Sequence, residues 1–182
     1  MGIAGGLTCA SSGRRCAPPL NRRVVRRIGE NTIDADAIIA EFGRCLRAGG
    51  ATVRAGASAA TLESFEQKYD AVLPSDTRAF YLAVDGMDDD CPFESFIRVL
   101  PIGEINPVCD EFPDDHPRDA FIIGDWSLGA HFYAIDLLGT AGPAGAVYLA
   151  HDPPLRVAST FADFVHKVLR DSPELFQGEG TV

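Results

Sequence analysis

The residues best able to do chemistry lie between Asp88 and His151. Gly124-Asp125-Trp126-Ser127-Leu128-Gly129 approaches the Gly-x-Ser-x-Gly turn that presents a nucleophilic serine, with His131 and His151 as candidate bases. That turn requires glycine two residues before the serine, where Asp125 stands, and a helix after it, where 131–137 alternates like a strand. The segment therefore reads as the turn of a hairpin, and no catalytic residue is assigned. His116, His131 and His151 fall on a loop and two strands, with no i, i+4 pair and no cysteine at zinc-site spacing. Asp88, Asp89 and Asp90 resemble half a calcium loop without its glycine and distal glutamate. Gly139, Gly142 and Gly145 lack the Lys-Ser/Thr of a phosphate loop and run into a strand, so they read as turn glycines. No metal and no cofactor is implied.

Recognition by charge is the chemistry that remains. The chain of 182 residues has a net charge of −10, unevenly spread. Arg14, Arg15, Arg22, Arg23, Arg26 and Arg27 are opposed only by Glu30 in the first thirty residues, and from Asn31 onward the balance is −15. An acidic domain repels nucleic acid and anionic membrane and favours a basic protein surface. Candidate contact residues, chosen for loop position and charge, are Asp88, Asp89, Asp90, Phe93, Asp110, Glu111, Asp114 and Asp115. Trp126, the one tryptophan, joins them: in a hairpin turn it would be an interface anchor if exposed and core if buried.

Helices and strands must position these residues. Residues 1–31, rich in Arg, Gly, Pro and Ser, read as a disordered basic tail. Residues 34–46 carry Ile38 or Ile39, Phe42, Cys45 and Leu46 at helical spacing, with Cys45 read as core, and 51–60 reads as a small-residue linker. Leu62, Phe65 and Tyr69 form an apolar stripe, with Glu63, Glu66 and Lys68 wet. Pro74 can open a second helix, with Ser75 and Asp76 in its first turn; Phe80, Tyr81 and Val84 supply its stripe, and Asp85-Gly86 stops it. Strands are expected at 96–100, 120–124, 131–137 and 146–150, a Pro- and Asp-rich loop at 106–119, and a closing helix over 160–170. The order is that of an α+β domain, with N-terminal helices on one face of a mostly antiparallel sheet of about five to six strands and a C-terminal helix to close it. One domain over 32–172 is expected, with 173–182 as a C-terminal tail.

Cys9, Cys16, Cys45, Cys91 and Cys109 form neither an even set nor a Cys-x-x-Cys pair, which suits a reducing compartment. The N-terminus lacks a signal-peptide pattern and a complete myristoylation signal, and no apolar stretch reaches membrane-span length. A cytoplasmic location is expected.

Five segments, in order, resemble the SUKH superfamily. LESFEQKYDAVLPSDTRAFYLAVDG is similar to its helix, Leu-Pro, helix, Asp-Gly signature, and IRVLPIGEI to its strand and Pro-containing loop. FIIGDWSLGAHFYAIDL is similar to its central hairpin, GAVYLAHD to its next strand, and VASTFADFVHKVL to its closing helix. The resemblance covers about residues 61–170. It departs at Met87-Asp88-Asp89-Asp90, where a Gly-rich turn is usual, and in the acidic 106–119 loop; both are loops, where partner choice is often set. The resemblance implies a binding protein without a shared catalytic set: in bacteria an antidote encoded beside a toxin, in fungi a regulator or scaffold. The expectation is an immunity protein for a cognate, basic toxin domain, a nuclease being one class that fits, with no direct nucleic acid or membrane partner and a monomeric or weakly dimeric state. The alternative is a regulatory or scaffold module in signalling or cell-envelope assembly.

Overall fold

Asp34 Oδ1 accepts from Ala37 N at 3.2 Å and caps α1 (Ala35–Ala48), which buries Ile38, Phe42 and Leu46. A computed structural model describes residues 34–88, 97–112, 114, 117, 119–126 and 129–178. Ser58 caps α2 (Ala59–Tyr69) by accepting from Thr61 N, and Leu62 and Phe65 turn inward. α3 (Ser75–Ala83) buries Thr77, Phe80 and Tyr81. Pro74 stands one place earlier than expected, as the residue before the helix, because its ψ of 151° is extended. Gly86 also lies beyond the helix end. Its φ is +65°, and a Cβ there would come within 2.6 Å of the Leu100 backbone, so glycine lets the chain turn against the first strand.

The strands β1 (Ile97–Val99), β2 (Phe121–Trp126), β3 (His131–Ile135), β4 (Val147–Ala150) and β5 (Leu155–Ala158) form one antiparallel sheet in sequence order. β5 was not placed from sequence, since Pro153 and Pro154 mask the short run that follows them. α4 (Val108–Glu111) interrupts what was expected to be an irregular loop, and Trp126 closes a strand where a turn was expected. α5 (Phe161–Val168) starts at Thr160, whose Oγ1 accepts from Asp163 N, while Asp163 Oδ2 accepts from Ser159 N. Residues 174–177, within the segment expected to be a tail, form α6 (Glu174–Gln177), and Leu175 is fully buried.

α1, α3 and α5 pack together on one face of the sheet. Phe80 links them, with its ring 5.2 Å from Phe42 and 5.0 Å from Phe161, and Phe164 meets Tyr133 of β3 at 5.1 Å. Each such buried aromatic contributes about 2–3 kcal/mol of transfer free energy. The other face is not bare. Leu100, Val108, Ala120, Ile122, Ala134 and Ala150 make a smaller cluster there, with Phe112 and Phe132 packed against it.

Three local expectations change for physical reasons. The 51–60 segment is pinned rather than loose: Val53 bridges Met87, and Ala57 N donates to Tyr81 O at 2.8 Å. Glu66 is half-buried because its carboxylate accepts from Leu73 N and from Arg78, fixing the turn between α2 and α3. Cys45 is half-buried at the rim of α1 rather than in the core.

Candidate functional site

Strand register builds the outer face of the sheet. Arg98 stands opposite Asp125, Asp125 opposite Phe132, and Phe132 opposite Ala150, so these side chains share the face away from the helices. Arg98 Nε donates to Asp125 Oδ2 at 2.8 Å, and its NH1 lies 3.7 Å from Glu104 Oε2. Beside this pair, next to the antiparallel bridge of Val53 to Met87, Arg54 reaches diagonally across and donates to Asp88 Oδ1 at 2.8 Å. That hydrogen bond, helped by the charges of Asp88, Asp85 and Glu104, holds the Arg54 pKa above its ordinary value. Asp85 is itself used: its Oδ1 accepts from Ile102 N at 2.8 Å.

The long connection from β1 to β2 is tied to the same face. Val108 N donates to Ala120 O and Ile122 N to Asn106 O, both at 2.8 Å, which seats α4 with Val108 buried and Asp110 and Glu111 exposed. Phe112 then packs against Phe132 with centroids 4.4 Å apart and the rings tilted by 32°. Asp114 and Asp119 are exposed as well. From Asp85 to Asp125 the described residues therefore carry Asp85, Asp88, Glu104, Asp110, Glu111, Asp114, Asp119 and Asp125 against Arg98.

Of the residues chosen from sequence, Asp110 and Glu111 share α4, and Asp88 belongs to the Arg54 pair. Asp89, Asp90, Phe93 and Asp115 lie outside the described residues, as do His116 and Ser127. Trp126 is separated from the acidic group. A bulge between Ile122 and Gly124 shifts the alternation, so Asp125 faces outward and Trp126 turns to the helix side. There Trp126 is half-buried, stacked on His131 at 4.9 Å and against Phe176 of α6 at 4.7 Å.

The chemistry discounted from sequence can be placed too. β2 is followed by β3, without the helix of a nucleophile elbow, and Asp125 is committed to Arg98. Among the described residues no three His, Cys, Asp or Glu side chains gather as a metal site, and no helix is long and apolar enough to cross a membrane.

Two carboxylates outside the predicted set organise the surface. Asp136, fully buried, accepts from the backbone N–H groups of Leu138, Gly139 and Thr140 through Oδ1 and of Ala141 and Gly142 through Oδ2, freezing the turn between β3 and β4. Asp76 accepts from Thr77 N in α3 and from Ala162 N in α5. Asp136 had a sequence signal, an aspartate opening a Gly-rich turn, whereas the partner of Asp76 is remote in sequence.

An α+β domain with its main helical layer on one sheet face, and with paired charges, exposed carboxylates and the Phe112–Phe132 pair at the other, offers a surface suited to protein recognition. The model of the SMI1 / KNR4 family (SUKH-1) matches residues 56–167, more than half of the chain, and the chain belongs to that family. The match runs from the pinned segment before α2 to the last turn of α5, which bears out the resemblance read from the motifs. The family supports a role in protein interaction of the SUKH type. No curated protein matches the chain.

Proposed function

We propose that this protein is an immunity protein that binds a cognate toxin domain with a basic surface and blocks it, acting in the cytoplasm without catalysis. The observation that carries the reading is the crowding of carboxylates along 85–125, where, among the described residues, the arginines nearest to hand, Arg54 and Arg98, are already taken up by Asp88, Asp125 and Glu104. Asp110, Glu111 and Asp114 stay exposed and project from a seated helix and turn, which suits rapid, salt-sensitive capture of a cationic partner. A nuclease is the toxin class such a face fits best, because an enzyme that holds phosphates must itself be basic. Asp89, Asp90, Phe93 and Asp115 adjoin this group in sequence and complete the proposed contact set; Trp126, on the other face, would serve a second contact.

The test is capture by the tagged full chain from lysate of the source cell, at low and high salt, with bound proteins identified by mass spectrometry. A basic toxin-like polypeptide held in stoichiometric amount, released by salt and lost on Asp110→Lys/Glu111→Lys/Asp114→Lys, supports the reading. Recovery of signalling or cell-envelope components indifferent to that substitution moves the assignment to a regulatory or scaffold module.

A further inference from the structure

α1 carries a second feature on the side away from the sheet. Between α1 and α3 runs a groove of about 410 Å³ whose walls are small or apolar, with Ala40 and Gly43 from α1 and Ala79 and Ala83 from α3. Asp36 stands at one end and Arg47 at the other, about 16 Å away at ~1.5 Å rise per residue. Asp36, Ala40, Gly43 and Arg47 repeat at intervals of four, three and four, so they form one straight stripe along the helix. Both charged residues are exposed, and neither forms an ion pair with any described residue.

We propose that this stripe is a self-association surface, occupied by α1 of a second copy of the chain packed antiparallel across a two-fold axis. The stripe is self-complementary under that operation. With the axis between Glu41 and Phe42, Asp36 of one copy meets Arg47 of the other and Ala40 meets Gly43, each pairing occurring twice. Opposite charges thus meet at both ends while the smallest side chains meet in the middle, where two helix backbones come closest. A parallel arrangement would set Asp36 against Asp36 and Arg47 against Arg47. Arg47 is free to make the exchange: its guanidinium lies over Gly43, 3.4 Å from where a Cβ would be, and is the far end of a flexible side chain. Leu82, next to Ala83 on α3 and 45% exposed, adds apolar surface beside the groove.

The test is sedimentation equilibrium of the full chain over a concentration series. The native chain is expected at twice 19.5 kDa at the upper concentrations, with the dimer weakened by salt. Asp36→Arg and Arg47→Asp, each alone, place like charges opposite one another at both ends and weaken the dimer by at least about tenfold. The double variant Asp36→Arg/Arg47→Asp restores the pairing and brings the dimer back to within a few-fold of native. Because both reversals oppose the α1 dipole and lower its stability, Gly43→Gln provides a second arm: the fold keeps its circular dichroism spectrum, since a Cβ there meets only the movable Arg47 end, while the dimer is lost. A native chain that stays monomeric throughout overturns the proposal. So does a dimer whose constant is the same in Asp36→Arg, Arg47→Asp and Gly43→Gln, because the copies then meet on another surface.

Discussion

Asp76 of α3 and Ala162 of α5 are joined across the helical layer: Asp76 Oδ2 accepts from Ala162 N at 2.9 Å while its Oδ1 accepts from Thr77 N at 2.8 Å. One carboxylate thereby satisfies an N–H at the start of each of two helices whose dipoles both favour negative charge there. Asp76→Ala removes both bonds and leaves the first turn of α5 short of an acceptor. The expected loss is about 2–3 kcal/mol in urea unfolding, with Asp76→Asn losing less because its amide oxygen still accepts one bond. An unchanged midpoint in Asp76→Ala would show that water replaces the carboxylate at no cost.

The Asp136 carboxylate holds the turn after β3 in the same manner, accepting five backbone N–H groups. Asp136→Asn puts an NH2 group where N–H groups converge, so about 2 kcal/mol should be lost, and Asp136→Ala should lose about 3 kcal/mol or more. Hydrogen exchange of residues 138–142, whose N–H groups the carboxylate holds, should be slow in the native protein and faster in both variants. Slow exchange in Asp136→Ala would mean that the turn is held by its own backbone.

Gly86→Ala adds a Cβ at a left-handed residue and drives it into the Leu100 backbone. The contact involves main chain, which cannot swing aside, so α3 and β1 must separate. A loss of about 2–3 kcal/mol is expected, measured as a fall in thermal midpoint, against less than 1 kcal/mol for Gly103→Ala, where a Cβ meets nothing within 4 Å.

His166 links stability to pH. Burial, with the charges of Arg170 and Lys167 adding to it and those of Asp163 and Glu41 opposing it, holds its pKa below the ordinary 6.5. The unfolded chain therefore takes up a proton near pH 6.5 that the folded chain resists. The stability His166 contributes is complete above that pH and is lost as pH falls through the lower folded value. Melting curves at pH 7.5 and pH 5.5 should show a smaller drop for His166→Gln than for the native protein. An equal drop would assign the acid sensitivity to other groups.

Much of the scaffold was legible because it rests on local periodicity. Leu62 and Phe65, Phe80 and Tyr81, and Phe161, Phe164 and Val165 are buried where helical spacing placed them, and Thr160 and Asp163 mark the start of α5 in the sequence itself. β5 and α6 escaped notice because Leu155–Ala158 follows directly on Pro153-Pro154 and Glu174–Gln177 is a single turn, and they are held by the sheet edge and by burial of Leu175. The acidic character of the 85–125 region could be read from composition, whereas the pairing of Asp88 with Arg54 could not, because those residues are remote in sequence and meet only through the bridge of Val53 to Met87.

The amino-acid sequence alone determined the family, the α+β order, and the side chains that fill the helical core, since each follows from short-range pattern and segment order. Tertiary structure decided which side chains look the same way. The bulge between Ile122 and Gly124 turns Trp126 inward toward Phe176 and leaves Asp125 outside with Arg98, and a strand without it would present the reverse. A strand has a side-chain period of two, so one extra residue exchanges its faces, and whether that residue is accommodated depends on the neighbouring strands.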